Sequence, residues 1–349
     1  MLAPYPPRLE LEMKQPAFLS LLFVLALAAT PPAAPQAAPA AAARIQEWKV
    51  PWADTRPRDP FVAPDGRIWF VGQTGNYLAV FDPRNGKFAR HDLPAGTKPH
   101  TVVVDPDGHP WIAGNGNGTI LRFDPASGGF ATYGVPATAG VGRRDPHTFA
   151  FDGRGGIWFT MQGGNAIGRI DMDSGQMRIV PVPTRNALPY GILVADDGRP
   201  WAVLLGTNKL ATVDPDSFAI TEVELPRADA RPRRLGLTDD GRVWYGDFAQ
   251  GHIGAYDPAD GDFREWKAPS ARSGPYAMAT DDRGRVWFVE TFPQPNLLQG
   301  FDPATGEFLA PTPIPSGGKS VRHMVFEPET GSLWFGTDSN TLGRARLPD

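Results

Sequence analysis

Seven short β-rich runs recur along the chain, and each contains a tryptophan that follows a tight turn. The tryptophans are 42 to 47 residues apart, and a glycine stands three positions before each of them: Trp69, Trp111, Trp158, Trp201, Trp244, Trp287 and Trp334. In each unit the run before an Asp-Gly-like turn, the tryptophan run, a run that usually ends in Asp-Pro and a run that closes on proline predict four strands. Four strands in about 40 residues are typical of a propeller blade, so we predict an all-β, seven-bladed β-propeller.

The two ends of the chain are expected to share the last blade. The C-terminal "TLGRARLPD" supplies only a third strand, whereas "QEWKVP", ending at Pro51, matches "FREWKAP", ending at Pro269. We therefore predict that the N-terminal strand completes the seventh antiparallel blade and closes the ring, which removes an exposed sheet edge. The propeller domain is expected to span residues 44–349.

Residues 1–43 have the pattern of an export signal followed by an Ala/Pro-rich linker. Met13 and Lys14 open a short basic region, residues 17–29 are apolar, and possible Ala-x-Ala cleavage sites extend to Ala43. The apolar run is too short to span a bilayer. We predict a periplasmic or secreted protein with no membrane span after cleavage; a retained N-terminal anchor is the alternative.

Composition excludes several classes of function. The chain has no cysteine, which rules out disulfides, thiolate metal sites and a cysteine nucleophile. A formal net charge of -4 gives no basic signature for nucleic acid, and we expect a monomer. The glycine-rich "GNGNG" and "GGKS" segments align with a hairpin turn and a connector of the repeat, so they are not interpreted as nucleotide-binding loops.

One position in each first strand is expected to lie at one end of the central channel. Counting outward from the glycine turn places His100 opposite Asn115 and His323 opposite Asp338. The seven equivalent positions are Arg58, His100, His147, Tyr190, Arg233, Tyr276 and His323. Three of the six histidines of the chain fall on them, and we interpret the ring as a ligand or catalytic site. A polar, water-filled channel mouth is the alternative.

The connectors on the same face are strongly basic. They hold twelve basic residues: Arg56, Arg58, Lys98, Arg143, Arg144, Arg185, Arg227, Arg231, Arg233, Arg272, Lys319 and Arg322. Only three aspartates stand against these (Asp54, Asp145 and Asp229), and two insertions, "ATAGVGRRD" and "ETFPQPN", open on the same face. This predicts binding of an anionic small molecule or a partner protein, although exposed charge can also serve solubility alone.

The repeats "LPYGILVADDGRPWAV", "GGIWFTMQGGNAIGRID" and "GPYAMATDDRGRVWFVE" resemble those of the virginiamycin B lyase (streptogramin B lyase) family over roughly residues 45–347. The resemblance implies a seven-bladed propeller and elimination at a cyclic ester, in which a histidine base removes a proton and a carboxylate-held Mg²⁺ stabilises the developing charge.

The resemblance also implies roles for particular residues. The family's base corresponds to His323 and one metal-binding carboxylate to Asp338, while a second family histidine corresponds to Tyr276 and a second carboxylate to Val321. Glu290, at the end of the sixth tryptophan strand, is a further candidate metal ligand. Arg322 stands where the proline of the repeat would be.

Three hypotheses for function follow. The first is a metal-assisted carbon–oxygen lyase with His323 and Tyr276 as catalytic residues and Asp338 and Glu290 near Mg²⁺. The second is a non-catalytic propeller that binds an anionic or ester-containing ligand, or a partner protein, through Arg58, His100, His147, Tyr190, Arg233 and Arg322. The third, a metal-dependent lactonase or hydrolase, is disfavoured because the predicted ring contains no carboxylate.

Overall fold

The computed structural model describes residues 42–349, so the predicted export segment lies outside the described residues except for its last two positions. In chain order the strands are β1 (Arg44–Lys49), β2 (Pro57–Val62), β3 (Ile68–Gly72), β4 (Tyr77–Asp82), β5 (Lys87–Asp92), β6 (Val102–Val104), β7 (Pro110–Gly114), β8 (Thr119–Asp124), β9 (Gly129–Gly134), β10 (Pro146–Phe151), β11 (Gly156–Met161), β12 (Ala166–Asp171), β13 (Met177–Pro181), β14 (Pro189–Val194) and β15 (Pro200–Leu204). They continue with β16 (Lys209–Val213), β17 (Ile220–Glu224), β18 (Pro232–Leu237), β19 (Val243–Asp247), β20 (His252–Tyr256), β21 (Phe263–Lys267), β22 (Pro275–Thr280), β23 (Val286–Glu290), β24 (Leu297–Asp302), β25 (Glu307–Phe308), β26 (Thr312–Pro313), β27 (Val321–Glu327), β28 (Ser332–Thr337) and β29 (Thr341–Arg346), with one short 3-10 helix at Pro328–Thr330.

The strands form seven antiparallel sheets, which are the seven predicted blades. Blades one to five contain four consecutive strands each, from β2–β5 to β18–β21, and blade six adds a split outer strand, β25 and β26. Blade seven has the order β1-β29-β28-β27, with Trp48 of β1 paired to Leu342 of β29. The predicted fold and its closure by the N-terminal strand are both confirmed.

Burial along a blade follows strand position. The second strand β3 is buried over its whole length, whereas the outer strand β5 alternates between exposed and partly buried residues. A second strand has strands on both sides and a neighbouring blade on each face, so it reads as a continuous apolar run. First strands of adjacent blades contact one another around the channel.

A turn residue fixes the tryptophan in several blades. The indole Nε1 of Trp111 donates to Asp105 Oδ2 at 2.9 Å, and that of Trp287 donates to Asp281 Oδ2 at 2.9 Å. The other oxygen of Asp105 accepts the backbone N–H of His109 at 2.8 Å. The aspartates on this face, which we call the turn face, are therefore part of hairpin construction.

The predicted pairing within the first hairpins is wrong. The register of β27 on β28 shifts between Val321 and Met324, so Asp338 lies opposite Ser320, whose carbonyl accepts its backbone N–H at 3.1 Å. Equivalent shifts occur in blades one, three, four, five and six. The strand residues beside the turns are already paired differently from a count outward from the glycine, and a β-bulge then places an extra residue on one strand, which such a count cannot detect. His323 and Asp338 are therefore not a facing pair.

Within residues 42–349 the structure contains no helix with the length and apolarity that a membrane span requires.

Candidate functional site

Five of the seven ring residues meet at one end of the central channel and are buried there. Arg58, His100, His147, Tyr190 and Tyr276 expose between 2% and 6% of their surface. First strands are innermost in every blade, which explains why positions so distant in sequence converge. The side chains contact each other more than they face solvent, so they form a polar plug at the end of the channel; their predicted roles in ligand binding stay predictions.

The plug is a continuous series of contacts between residues of five blades. Arg58 Nη2 donates to His100 Nε2 at 2.7 Å, which requires the ring proton to lie on Nδ1. The imidazoles of His100 and His147 have centroids 3.3 Å apart, and the Tyr190 ring lies 4.2 Å from His147. Tyr190 and Tyr276 share a hydrogen bond of 2.5 Å between their hydroxyls.

Two further predicted residues, Arg233 and Arg322, lie on the outer side of the plug. The Arg233 guanidinium stacks on Phe248 at 3.6 Å and on Tyr276 at 4.6 Å from the ring centroids. Arg322 Nη1 lies 3.4 Å from the Tyr276 hydroxyl. Tyr276 is therefore covered by guanidinium groups on the side that faces the connectors.

Asp59 and Arg234, which the sequence analysis did not single out, form an ion pair across the channel. Arg234 Nη2 lies 3.2 Å from Asp59 Oδ2, and both side chains are almost fully buried. The same guanidinium donates to Thr148 Oγ1 at 3.2 Å and to the Arg322 carbonyl at 3.0 Å. Arg234 of blade five thus bridges blades one, three and seven and closes the channel behind the plug.

The local backbone leaves space for the Asp59–Arg234 ion pair. Asp59 adopts a φ of 47°, which is uncommon for a residue with a side chain and is stabilised here by its buried ion pairs. A methyl group on Gly191 would approach the Arg234 Cα to 3.2 Å and its Cδ to 3.3 Å. A signal for the pair does exist in the sequence: at the position after each ring residue, only Asp59 and Arg234 are charged, and their charges are opposite.

The two arginines set the charge state of the buried groups. Burial alone would raise the pKa of Asp59, but Arg234 and Arg58 outweigh it and hold that pKa far below its usual range. Burial, followed by the positive charge of the arginines, lowers the pKa of His100 and His147 well below the ordinary value. The histidines of the plug are therefore neutral at pH 7.

The pKa values of the two hydrogen-bonded tyrosines are shifted in opposite directions. Burial raises the pKa of Tyr190 to about 12, with a further contribution from Tyr276. Burial would also raise the pKa of Tyr276, but Arg58 and Arg322 outweigh it and lower that pKa to about 8. A phenol that ionises near neutral pH, hydrogen-bonded to one that does not, is suited to exchange a proton.

His323 is separated from the plug. It lines a cavity of about 320 Å³ in the channel, on the inner side of Arg234. Burial and the nearby Arg234 lower its pKa to about 4, so it is neutral at pH 7, and its Nδ1 is buried without a hydrogen-bond partner. The expected catalytic pair of His323 with Asp338 at one mouth is therefore not present in the structure.

Asp338, predicted as a metal ligand, is held by arginines instead. Its Oδ2 lies 2.6 Å from Arg322 Nη2, and its Oδ1 lies 3.6 Å from Arg56 Nε. Asp338 in turn raises the pKa of Arg322, against the effect of burial. Two guanidinium groups already neutralise this carboxylate, which leaves little negative charge for a divalent cation.

Glu290, the other predicted metal ligand, has a structural role. It is 1% exposed, one carboxylate oxygen accepts the backbone N–H of Ser270 at 3.1 Å, and the other bonds the Ser270 hydroxyl. Mg²⁺ requires several oxygen ligands in near-octahedral geometry. With Asp338 paired to arginines, Glu290 bound to a connector and Val321 aliphatic, the residues present do not fit the magnesium centre implied by the resemblance.

A cluster of possible metal ligands does occur on the turn face. Single ligand atoms of Asp105, Asp107 and His109 lie within 4.8 Å of one another. Asp105 already accepts hydrogen bonds from Trp111 and from the backbone of its own turn. Hairpin geometry therefore accounts for the closeness of these groups.

We call the connectors between fourth and first strands, with the outer side of the plug, the basic mouth. Five of the twelve predicted basic residues pair with a carboxylate. Seven have no carboxylate partner within the part of the chain that the structure describes: Lys98, Arg144, Arg185, Arg231, Arg233, Arg272 and Lys319. The predicted excess of positive charge at this face remains after ion pairing.

The insertion after Trp287 adds an aromatic surface to the basic mouth. Phe292 is 41% exposed, more than any other large hydrophobic residue in 42–349. Its ring contacts Phe248 at 4.9 Å between centroids, and Arg272 lies 5.2 Å over it. With Arg233 on the other side of Phe248, two aromatic rings alternate with two guanidinium groups at the edge of the mouth.

Comparisons with solved structures agree with the fold. Virginiamycin B lyase from Staphylococcus aureus superposes with a TM-score of 0.78 at 23% identity, over 87% of this chain and 99% of that one. A catalytically inactive variant of that enzyme with quinupristin gives a TM-score of 0.78 at 24% identity, over 87% and 99%. The extracellular domain of a putative hybrid two-component system from B. thetaiotaomicron gives 0.67 at 18% identity, over 89% of this chain and 44% of that one.

At these identities the structural matches establish the fold and leave the activity open. No curated protein sequence is significantly similar to the chain. The sequence profile of the virginiamycin B lyase family, however, matches residues 37–298, which is more than half of the chain. The resemblance seen in the repeats is thereby confirmed, and the chain belongs to the virginiamycin B lyase family.

Proposed function

We propose that the protein binds an anionic small molecule at its basic mouth. The observation that carries the proposal is the charge balance: Asp338 is engaged by two arginines, and seven other basic side chains there have no carboxylate partner among residues 42–349. Guanidinium groups bind carboxylates and phosphates through paired, charge-assisted hydrogen bonds. The ligand class is therefore a compact organic anion with more than one carboxylate or phosphate group.

Calorimetric titration with citrate tests this proposal. We expect binding that weakens as salt is raised, because charges at the mouth are partly exposed and are screened. The double variant Arg233→Gln/Arg272→Gln removes the two guanidinium groups that flank Phe248 and Phe292 and should weaken citrate at least about tenfold. Arg154→Gln, on the turn face, is the matched control. Equal affinity in all three proteins, or no effect of salt, would refute the proposal.

A second candidate is carbon–oxygen elimination without a metal ion. Family membership and the pKa of Tyr276, lowered to about 8, favour it. In this reaction the Tyr276 phenolate would accept a proton from a carbon that lies between a carbonyl group and the carbon bearing the ester oxygen. The C–H electrons would form a carbon–carbon double bond, and the carboxylate would leave with the C–O electrons. Arg322 would stabilise the negative charge that develops on the carbonyl oxygen. Arg233 and Arg322 cover Tyr276, so a substrate would have to displace them.

Mass spectrometry of quinupristin incubated with the protein tests this second candidate. Elimination inside a ring gives a linear isomer of unchanged mass, whereas hydrolysis adds one water. We expect an isomeric product that a chelator does not suppress and that Tyr276→Phe abolishes. A product that depends on metal and persists in Tyr276→Phe would contradict the mechanism.

We also propose that the protein is exported. The support is the sequence of residues 13–43, with its basic start, apolar run and Ala-x-Ala sites. Mass spectrometry of the protein from the native cell should show an N-terminus between the apolar run and Arg44. A full-length N-terminus in the soluble cell fraction would contradict export.

A further inference from the structure

The central channel contains an apolar cavity at the end opposite to the plug. Its volume is about 320 Å³, and its walls come from the first strands of all seven blades, including Val102, Phe149, Ile192, Leu193, Leu235 and Met278. It continues into a larger depression on the turn face through Phe61, Phe151 and Phe326. A largely apolar pocket of this size with a few convergent polar groups is the ordinary form of a small-molecule site.

The closed end of this cavity carries unused hydrogen-bonding capacity. Arg234 lines it and has five N–H donors, of which three are used by Asp59, Thr148 and the Arg322 carbonyl. His323 lines it as well, and its Nδ1 is buried with no partner. Buried polar atoms without partners are rare in proteins, and a bound ligand is one way of satisfying them.

The charge at the closed end is positive. Arg234 lines the cavity, and Asp59, its partner behind the wall, is shared with Arg58 of the plug, so one carboxylate stands against two guanidinium groups, while His323 is neutral.

In the outer depression Asp107 and Glu329 are exposed, whereas Asp105 and Glu327 are buried and accept the indole N–H groups of Trp111 and Trp334. Water and salt screen the exposed pair, and the described residues that line the cavity itself include Arg234 and no carboxylate, so the guanidinium decides which charge is preferred inside.

We infer that this cavity is a binding site for a small amphiphilic monocarboxylate, whose apolar part fills the channel and whose carboxylate accepts hydrogen bonds from Arg234 and His323. The volume equals that of roughly ten water molecules, so the ligand has on the order of ten non-hydrogen atoms. Arg234 also separates this site from the basic mouth. The inference therefore does not depend on the proposed function.

Calorimetry with octanoate and octan-1-ol tests the inference, because the two probes share the apolar chain and differ in charge. We expect octanoate to bind at least about tenfold more tightly than octanol. Leu193→Trp fills the cavity and should weaken octanoate at least about tenfold, and Arg234→Gln should do the same by removing the guanidinium. Thermal unfolding identifies any variant that fails to fold, and Leu193→Trp keeps the test decisive if Arg234→Gln is unstable.

Arg233→Gln is the matched control, because Arg233 is adjacent in sequence but faces the basic mouth. It should leave octanoate binding unchanged, and Leu193→Trp should leave citrate binding unchanged. Equal affinity for octanol and octanoate would overturn the inference, as would the absence of octanoate binding. Loss of octanoate in Arg233→Gln with retention in Leu193→Trp would place the carboxylate at the basic mouth and overturn it too.

Discussion

Tyr276 is the residue whose chemistry the plug changes most. Its hydroxyl is hydrogen-bonded to Tyr190, and the positive charges around it include Arg58 and Arg322. Arg322 occupies a position where the other six repeats carry proline. Arg58 and Arg322 together lower the pKa of Tyr276 against the effect of burial, which brings the phenol into the range where it exchanges protons near neutral pH.

The pKa of Tyr276 gives a pH-dependent prediction. Its folded-state pKa, lowered to about 8, lies below the unfolded value near 10. Ionisation therefore stabilises the folded state progressively from pH about 8 to 10, and this contribution is lost as pH falls through 8. A near-ultraviolet titration should show one tyrosine ionising near pH 8, and Tyr276→Phe should remove that phase. Tyr133→Phe is the control and should keep the phase near pH 8. Persistence of that phase in Tyr276→Phe would contradict the assignment.

The buried pair of Asp59 and Arg234 gives a prediction on stability. Asp59→Asn leaves buried guanidinium charge without its counter-ion and should reduce the free energy of unfolding by about 3 to 5 kcal/mol. The double variant Asp59→Asn/Arg234→Met should lose less than the sum of the single losses. Urea unfolding measures both. Asp65→Asn, which breaks the exposed Asp65–Arg67 pair, should cost under about 1 kcal/mol. A loss of unfolding free energy as small as this in Asp59→Asn would contradict a structural role for the buried Asp59–Arg234 pair.

At the scale of elements, the hairpin between the first and second strands both stabilises the blade and contains the residues of the candidate site. In four blades the hairpin supplies the acceptor for the tryptophan indole, and in six blades a bulge lies at the ring residue. Asp281 shows the first role, since it accepts the Trp287 indole, the Arg285 guanidinium and two backbone N–H groups. One turn residue thus accepts four hydrogen bonds from the turn and from the second strand of the hairpin.

Replacing that residue should have a large effect. Asp281→Ala leaves the buried Trp287 N–H and turn donors unsatisfied and should cost about 3 kcal/mol in unfolding free energy. Asp282→Ala, the exposed neighbour in the same turn, should change stability by less than about 0.5 kcal/mol. Similar losses for both variants in chemical denaturation would show that the acceptor role of Asp281 is unimportant.

These elements also show what the sequence can and cannot predict. Tryptophan and glycine spacing identified the blades because each tryptophan must be buried in the same way in every repeat. The pairing of His323 with Asp338 was wrong because the seventh turn, with its 3-10 helix, is longer than the others, and because a bulge shifts the register further without a visible break in the repeat. The Asp59–Arg234 pair was missed because it joins blades one and five, and only the diameter of the closed ring brings them within reach.

At the scale of the whole molecule, ring closure depends on the N-terminal strand. β1 pairs with β29 over six residues, and Trp48 packs on Trp334 and Phe81 at 5.6 and 4.9 Å between centroids. The same strand brings Thr55 to Asn340, where the side-chain amide oxygen accepts its backbone N–H at 3.2 Å. Closure therefore also positions the connector that carries Arg56 and Arg58.

Removing this strand should open the ring. A chain that begins at residue 54 loses the β1 ladder and the burial of Trp48, and should lose on the order of 5 kcal/mol of unfolding free energy relative to a chain that begins at residue 42. The freed edge of β29 should also promote association. A peptide of residues 44–51 should restore the melting temperature, and the same peptide with Trp48→Ala should not. Identical melting curves for the two chains would contradict closure.

The central claim is that arginines, rather than a metal ion, organise the basic mouth. Calorimetry on one preparation of the full propeller, titrated separately with Mn²⁺ and with citrate, tests it most directly. The account predicts citrate binding that weakens in Arg233→Gln/Arg272→Gln, and no Mn²⁺ binding that depends on Asp338. Mn²⁺ binding that Asp338→Asn abolishes, together with citrate binding that is unchanged in the arginine variant, would contradict it.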